Sequence, residues 1–289
     1  MGRPLAKGLA VVAVGIGALG ISYIGYRTDK THQYEQRVQY ANSTIAKEQE
    51  QLADITKTID SFYQEGQVVF LRDDLEETEL AAVRGKLESV KVTAEAFQVQ
   101  ADDLDKEAET IQETKETLMK KIDLTEDKLT IQEKTNSLFE SAVKSWQDPV
   151  NDVVIKAETS DETIGEIRED LKLMMLDDPW QKNITEYLDF ANAQLTRIKD
   201  IQTTIDSLLK DGQITDQANY ESFIALAESI SQVRNTVKKA EFTSSLNTIS
   251  EQLGYGSVSS NDSESEETSS DEGYDEDTAT EEYAEDDEG

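Results

Sequence analysis

The sequence predicts an all-α fold, and three observations support that prediction. Apolar residues recur at alternating spacings of three and four over long stretches, which is the period of an amphipathic helix. Glu, Lys, Gln, Ala and Leu are abundant, as is typical of long helices. The 289 residues include only three prolines and 7% aromatic residues, whereas β-sandwiches and barrels need frequent turns and aromatic or β-branched strands.

The charge balance argues against several classes of function. The chain carries 61 acidic residues against 28 basic ones, a formal net charge of -33. Nucleic-acid binding needs a basic face that neutralises phosphates, and docking on anionic lipid needs a polybasic patch, so neither is expected. Because the chain has no cysteine, disulfides and thiolate metal sites are excluded.

Residues 8–26 form an uncharged, mostly apolar run of 19 residues flanked by basic ones. At about 1.5 Å per residue the run reaches about 28 Å, enough for one helix to cross a bilayer. We expect a single transmembrane signal anchor, with residues 1–7 as a cytoplasmic stub and the C-terminus extracellular. The alternative is a cleaved signal peptide, because Ala18 and Gly20 form a small-x-small pair.

The extracellular helical domain is predicted to cover residues 27–256 and to begin with an antiparallel hairpin at 28–144. Its first helix carries one apolar stripe: Val38, Ala41, Ile45, Leu52, Ile55, Ile59 and Phe62. Its second helix, about fifty residues and about 75 Å long, carries another: Leu80, Val83, Leu87, Val90, Ala94, Phe97, Ala101, Leu104, Ala108, Ile111, Leu118, Ile122 and Leu129. Stripes this narrow must pack in a coiled-coil-like bundle. Gly66 supplies the turn, and pairing of the stripe in a homodimer is the alternative.

A link at residues 145–160 is predicted to be irregular, with one extended strand, because the helical period fails there. Trp146 lies in this link and Trp180 beyond it. Two tryptophans can form a binding surface, but packing at the joint between the hairpins is the favoured interpretation. A short helix resumes after Thr159, which has the spacing of a capping box with Glu162.

A short helix and a second hairpin are predicted for residues 161–254. The first arm of this hairpin begins at Asp178 as N-cap, with Pro179 at the first helical position and Gln181 at the third. This arm carries a stripe that ends before Gly212: Ile184, Leu188, Ala191, Leu195, Ile198, Ile205 and Leu209. The returning helix carries a fourth: Phe223, Leu226, Ile230, Val233, Val237, Ala240 and Leu253.

An internal repeat relates the two hairpins. Residues 58–67 are TIDSFYQEGQ and residues 204–213 are TIDSLLKDGQ, identical at six of ten positions. The copies are followed by VKVTAEAF at 90–97 and by VKKAEF at 237–242. Two copies of one helical-hairpin unit explain this pattern, and chance similarity between amphipathic helix ends is the alternative.

Residues 257–289 contain 15 acidic residues and no basic one. Ser, Thr and Gly supply most of the rest, so this tail has too few apolar residues for a core. It is predicted to be disordered and extended by charge repulsion. Asp271, Asp275 and Asp277 lack the spacing of an EF-hand loop, so diffuse binding of divalent ions is expected instead of a defined site.

The sequence contains no recognisable catalytic constellation. The single histidine, His32, is expected on the surface. Without cysteine a Cys–His triad cannot form, and without a second histidine an HExxH zinc site cannot form. Three pairs of adjacent carboxylates are expected to be helix caps or solvated faces: Asp73 and Asp74, Asp102 and Asp103, Asp177 and Asp178. The chain is therefore predicted to be non-enzymatic, with no catalytic residue, no cofactor and no metal ligand.

Five short motifs occur in order between residues 136 and 253: NSLF at 136–139, AETSDETI at 157–164, DDPW at 177–180, ANAQL at 191–195 and DGQIT at 211–215. In order and approximate spacing this stretch resembles the membrane-proximal extracellular region of the mid-cell-anchored, Z-ring-positioning (MapZ) family of streptococci and their relatives. With the anchor and first hairpin, the resemblance covers most of the folded part. It implies a division-site marker in Gram-positive cocci, held by one transmembrane helix and associated with growing peptidoglycan.

The chain departs from that family in two ways. Family members have a sizeable cytoplasmic segment that contacts the division machinery, whereas residues 1–7 precede the anchor here. They also continue past a Ser-rich linker into a second extracellular domain, to which wall binding is largely attributed, whereas the acidic tail occupies the linker's place here. Neither Z-ring contact nor wall binding is transferred, and no functional residue carries over.

These expectations combine into a membrane-anchored extracellular scaffold at the bacterial cell envelope, linked to cell division or cell-wall growth. Peptidoglycan and envelope proteins are the candidate partners, and no nucleic acid is expected. The alternative is a surface binding module (a receptor, an adhesin or a mobile-element protein) whose acidic tail recruits a basic partner. Concentration at mid-cell favours the scaffold, and an even surface distribution favours the binding module.

Overall fold

The structure is a computed structural model that describes residues 30–64 and 69–256. The predicted anchor at 8–26, the predicted turn residue Gly66 and the tail at 257–289 lie outside these residues. The described residues are mostly helical, as the all-α prediction requires. None of the helices within them has the length and apolar character needed to span a bilayer.

Eight α-helices, one 3-10 turn and two short strands make up the described chain. They are, in order, α1 (Lys30–Asp60), α2 (Glu77–Ser89), α3 (Ala94–Phe97), the 3-10 turn (Ala101–Asp103), α4 (Glu107–Ser137), α5 (Asp161–Leu173), α6 (Pro179–Leu208), β1 (Leu209–Lys210), β2 (Gln213–Ile214), α7 (Tyr220–Ser231) and α8 (Thr236–Leu253).

The chain divides into two compact units, and the division falls inside α6, between Ala193 and Gln194. The helical periodicity instead predicts a division between the two hairpins at the link at 145–160. That link belongs to the first unit because it packs back on neighbouring elements of that unit. Phe139 and Ile155 form an antiparallel bridge, and Asn183 donates hydrogen bonds to the carbonyls of residues 146 and 147 at 2.9 and 2.6 Å.

Helices α1 and α4 run parallel in the first unit. Contacts between them keep a nearly constant offset in number: residue 42 meets 105 at 3.1 Å, residue 60 meets 121 at 2.5 Å, and residue 63 meets 125 at 2.8 Å. Helix α2 is antiparallel to α4, since residue 84 meets 126 whereas residue 90 meets 115. The three helices form an up-down-up bundle that buries the α1 stripe predicted from the sequence.

The second stripe is not one helix of fifty residues, and this part of the hairpin prediction is wrong. Helix α2 ends at Ser89, and Val90 has extended backbone angles (φ -65°, ψ 121°). Three of the four residues at 90–93 are β-branched, which lowers helix propensity. Val92 and Phe97 stay buried although they lie outside a long helix. The apolar spacing therefore continues through a segment that is not continuously helical.

The two predicted helix starts near the link have different outcomes. The start at Asp178 is confirmed, because its Oδ1 accepts a hydrogen bond from the Gln181 N–H at 2.8 Å. The capping box of Thr159 with Glu162 is wrong by one residue. Ser160 is the N-cap of α5 and pairs reciprocally with Thr163, while the buried Thr159 hydroxyl donates to the Leu138 carbonyl at 2.9 Å.

The second unit contains two helices where the sequence predicts one returning helix from Phe223 to Leu253. Helix α7 ends at Ser231, and α8 begins at Thr236 after the N-cap Asn235, whose side chain accepts from the Lys238 N–H at 2.8 Å. Val237 is exposed, and the buried face of α8 has a different phase: Phe242, Leu246 and Ile249.

A β-hairpin that the sequence analysis did not anticipate connects α6 to α7. Leu209 pairs with Ile214, and Lys210 pairs with Gln213. Asp211 and Gly212 have φ values of 50° and 76°, as a two-residue type I′ turn requires. The Asp-Gly pair between two apolar residues was the sequence signal for this turn.

The turns that follow the two copies of the repeat are equivalent. In each, the residue after the paired segment donates its N–H to the equivalent carbonyl. Arg72, after the Tyr63–Leu71 bridge, donates to Phe62, and Thr215, after β2, donates to Leu208, both at 2.9 Å. The connection is three residues longer in the first copy. Equivalent core positions are buried in both copies: Ile55, Ile59 and Phe62, matching Ile201, Ile205 and Leu208.

Beyond these turns, the match between VKVTAEAF and VKKAEF is not the structural alignment. That match pairs Val90 with Val237, yet Val90 is buried and Val237 is 54% exposed. Val90 instead corresponds to the buried Val233. Each donates its N–H to the carbonyl three residues earlier, Leu87 at 3.3 Å and Ile230 at 3.0 Å.

Candidate functional site

The carboxylate pairs identified in the sequence lie at caps and ion pairs of three separate elements. Asp74, before α2, lies 3.2 Å from the Arg72 guanidinium. Asp103, in the 3-10 turn, accepts a hydrogen bond from the Tyr34 hydroxyl at 2.5 Å. This hydrogen bond raises the pKa of Tyr34. Both arrangements are structural uses of a carboxylate, as the sequence analysis expects.

The third carboxylate pair, Asp177 and Asp178, contacts two lysines, one of which is buried. Asp177 meets Lys182 at 3.1 Å on the surface, whereas Asp178 Oδ2 accepts a hydrogen bond from Lys128 at 2.8 Å. Lys128 is only 2% exposed. It also donates to the Val69 carbonyl at 2.8 Å, and its ammonium lies 4.8 Å from the centre of the Trp180 ring. We define the Lys128 cluster as Lys128 with Val69, Asp178 and Trp180. It joins α4, the connection before α2 and the start of α6.

The Lys128 cluster has a structural role, because its contacts hold neighbouring elements together. Two oxygen acceptors and an aromatic face surround the ammonium, and charge-assisted hydrogen bonds and a cation–π contact of this kind hold a side chain firmly in place. The two oxygens of Asp178 are both used, one for Lys128 and one to cap α6. The arrangement therefore fixes the start of α6 on α4.

A hydrogen-bonded tyrosine lies next to this cluster on the same face of α4. The Tyr63 hydroxyl is 2.8 Å from the Thr125 hydroxyl, and both residues are buried. Burial raises the pKa of Tyr63, because the charged phenolate is disfavoured away from water. Thr125 and Lys128 are one helical turn apart, so this face of α4 is polar although it is covered.

Both tryptophans are buried inside the first unit and do not form a binding surface there. Trp146 packs edge-on against Tyr187 with ring centres 5.6 Å apart. The Tyr187 hydroxyl donates to the Ser145 carbonyl at 2.7 Å, and burial raises its pKa. Trp180 covers Lys128. The tryptophans thus hold the link and the start of α6 within one core.

The two most exposed of the large apolar side chains lie at a different place, the turn between α5 and α6. Residues 173–176 read LMML. Leu173 is 76% exposed and Met175 is 87% exposed. We call residues 173–176 the apolar turn. The run of four large apolar residues was visible in the sequence, but the helical spacing drew attention to the buried stripes instead.

Shallow grooves flank the apolar turn on both sides. One, of about 350 Å³, lies between α4 and α5 and is lined by Asp127, Thr130, Ile131, Lys134, Asp170, Leu173 and Met174. The other, of about 210 Å³, lies beside the start of α6 and is lined by Leu176, Asp177, Asp178, Gln181, Lys182 and Thr185. The larger groove has three apolar lining residues beside two aspartates and a lysine, whereas the smaller one has a single apolar residue. The larger groove therefore suits a protein or peptide partner better than a small polar substrate.

The predicted surface histidine is on the surface. His32 lies in the first turn of α1, and its Nδ1 is 3.3 Å from a Glu35 carboxylate oxygen. Within the part of the chain that the structure describes, no group of three or more His, Asp or Glu residues is placed to hold a metal ion.

No family model, no curated protein and no solved structure matches this chain.

Proposed function

We propose that this chain is a non-enzymatic scaffold anchored in a bacterial cell membrane, with its helical units on the outer side. In this proposal residues 8–26 form the single transmembrane helix and residues 257–289 form a disordered acidic tail. The scaffold acts in cell division or cell-wall growth, with peptidoglycan or envelope proteins as partners.

The observation that carries the proposal is the position and length of α1. This helix begins at Lys30, four residues after the end of the apolar run at 8–26, and continues without a break for 31 residues, a rise of about 46 Å. Its apolar stripe is buried within the same chain by α2 and α4. In this proposal the first bundle, which is built on α1, extends away from the bilayer as a rod.

The family resemblance supports the link to division. Its DDPW motif contains Asp178, which caps α6, and Trp180, which is buried over Lys128. In this chain the motif therefore has a structural role at the start of α6. The two equivalent turns after α1 and α6 support an interpretation as two related helical units.

The test is live-cell imaging of a fusion at the C-terminus, made with a fluorescent protein that folds outside the membrane. A mid-cell ring that separates before division is the expected result. An even signal over the cell surface would contradict the division role. Release of the fusion into the medium would contradict the anchor and identify residues 8–26 as a cleaved signal peptide.

A second candidate is a surface binding module whose acidic tail recruits a basic partner. The observation that favours it is the tail composition, 15 acidic residues with no basic one between 257 and 289, because such a field attracts cationic proteins. Removal of residues 257–289 separates the candidates. A scaffold keeps its mid-cell position without the tail, whereas a binding module stays on the surface and loses its basic partner.

A further inference from the structure

The apolar turn exposes two large side chains, and at one of them the backbone conformation favours glycine. Leu173 is the last residue of α5, and Met175 has a φ of 50°. That left-handed conformation favours glycine over a side chain with a Cβ. A methionine is present instead, and it is 87% exposed. A strained position that carries an exposed apolar group is a reason to look for a function.

The groove between α4 and α5 adds a receptive surface beside these side chains. The buried Ile131 contributes to its floor and Leu173 and Met174 to its walls. Asp127 and the ion pair of Lys134 with Asp170 border it. A volume of about 350 Å³ accommodates one or two large apolar side chains of a partner. Methionine adapts its shape to such groups because its chain is unbranched and polarisable.

The charge around the turn selects the kind of partner. Residues 166–178 contain five acidic residues and two basic ones. Three of the acids are paired with lysines and Arg168 is paired with Asp189, so Glu166, Glu169 and the nearby Asp127 leave an acidic balance against Lys172. A second copy of this chain would bring an identical acidic rim, and an anionic lipid surface would also be repelled. A cationic partner is attracted by the same field.

We infer that the apolar turn and the α4–α5 groove form a docking site for a basic, amphipathic helix of a partner protein. The partner helix places apolar side chains in the groove and against Leu173 and Met175, and its Lys or Arg residues face the acidic rim. This site lies on the first unit, apart from the acidic tail, and goes beyond the proposed scaffold role.

The test uses methyl resonances of methionine in the full chain, labelled with ¹³C and held in a nanodisc of uncharged lipid. The probe is a Leu/Lys peptide about four helical turns long with one apolar face. We expect saturable shifts of the Met174 and Met175 signals. Met119, which packs against the core of the first bundle, is the internal control and keeps its position.

Paired variants connect the shifts to the site. Leu173→Gln with Met175→Gly removes both exposed side chains, and glycine suits the left-handed φ at 175, so the fold is retained. We expect affinity for the peptide, read from Met174, to fall by roughly tenfold or more. Val237→Ser removes an apolar side chain that is 54% exposed in the second unit, and it leaves the affinity unchanged.

Four results would overturn the inference. The first is the absence of any shift. The second is an equal response to either control peptide, a Leu/Lys peptide of the same composition without an apolar face or a Leu/Glu peptide. Shifts that grow with protein concentration in the absence of peptide would assign the site to a second copy. Shifts on changing to anionic lipid would assign it to the membrane.

Discussion

The connection after α1 and the connection after α6 share their buried apolar positions but are held by different polar contacts. Both follow a TIDS segment, both bury three equivalent apolar residues, and both close with the same N–H to carbonyl hydrogen bond. The first is held by the buried Lys128, which donates to Val69, and the second by Gln252, which donates to the Gly212 carbonyl at 2.8 Å. The two copies share the spacing of their buried apolar residues, but each has its own polar hydrogen bond to the connection.

The helices that follow differ more than the turns. In the first unit the chain leaves α2 through an irregular segment at 90–106 before α4 begins, whereas in the second unit α8 begins three residues after Val233. The longer path lets α4 pass the first connection near Thr125, where it supplies the polar face described above. The longer third helix of the first unit, α4, thus carries a buried lysine that contacts the first connection.

The largest expected effect comes from matched deletions in the two cores. Ile59→Ala and Ile205→Ala remove the same atoms from equivalent buried positions, and each is expected to cost about 4 kcal/mol because a cavity remains. Calorimetry of the full chain should show that each variant lowers the melting temperature of one unit. A single transition that both variants lower together would mean that the units unfold as one.

Lys128→Met is expected to cost about 3 kcal/mol, because it leaves Asp178 and the Val69 carbonyl without their shared donor. Gln252→Ala, at the corresponding fastening in the second unit, is expected to cost about 1 kcal/mol. Urea unfolding measures both. Lys134→Met breaks an ion pair that is half-exposed and serves as the control. If Lys134→Met costs as much as Lys128→Met, the Lys128 cluster is not a buried fastening.

The smallest expected effect is a difference in alkaline stability at Tyr63, whose counterpart in the second unit is Leu209. Because burial raises the pKa of Tyr63 in the folded state, its contribution is complete below the ordinary tyrosine pKa of about 10. The contribution is lost as pH rises through the higher folded value. Tyr63→Phe should therefore reduce the loss of stability above about pH 10 in urea unfolding. An unchanged pH slope would contradict this assignment.

Local rules predicted the elements whose causes are local. The start of α6 follows from Asp178, Pro179 and Gln181, which lie within one turn of each other, and the buried stripe of α1 follows from spacing alone. The break at 90–106 was not predictable from spacing, because Val90 and Phe97, which lie inside it, are buried and keep the helical spacing that Leu87 begins. In that segment the β-branched residues, and not the apolar period, decide the backbone.

The Lys128 cluster depends on contacts that are distant in sequence. Its acceptors are 59 and 50 residues away, so no local pattern specifies them. One signal was present: Thr125 and Lys128 follow Ile122 at the spacing where apolar residues are expected. A lysine in a buried stripe requires a buried acceptor. The apolar turn, in contrast, was legible as four consecutive large apolar residues.

The parallel course of α1 and α4 determines how the first bundle bears tension. The chain enters at the start of α1 and leaves at the far end of α4, so a pull along the chain slides these two helices past each other. The contacts from Asn42 with Asp105 to Tyr63 with Thr125 are then loaded together in shear, whereas an antiparallel pair pulled from one end is peeled contact by contact. A pair of helices loaded this way keeps its length until many contacts fail at once.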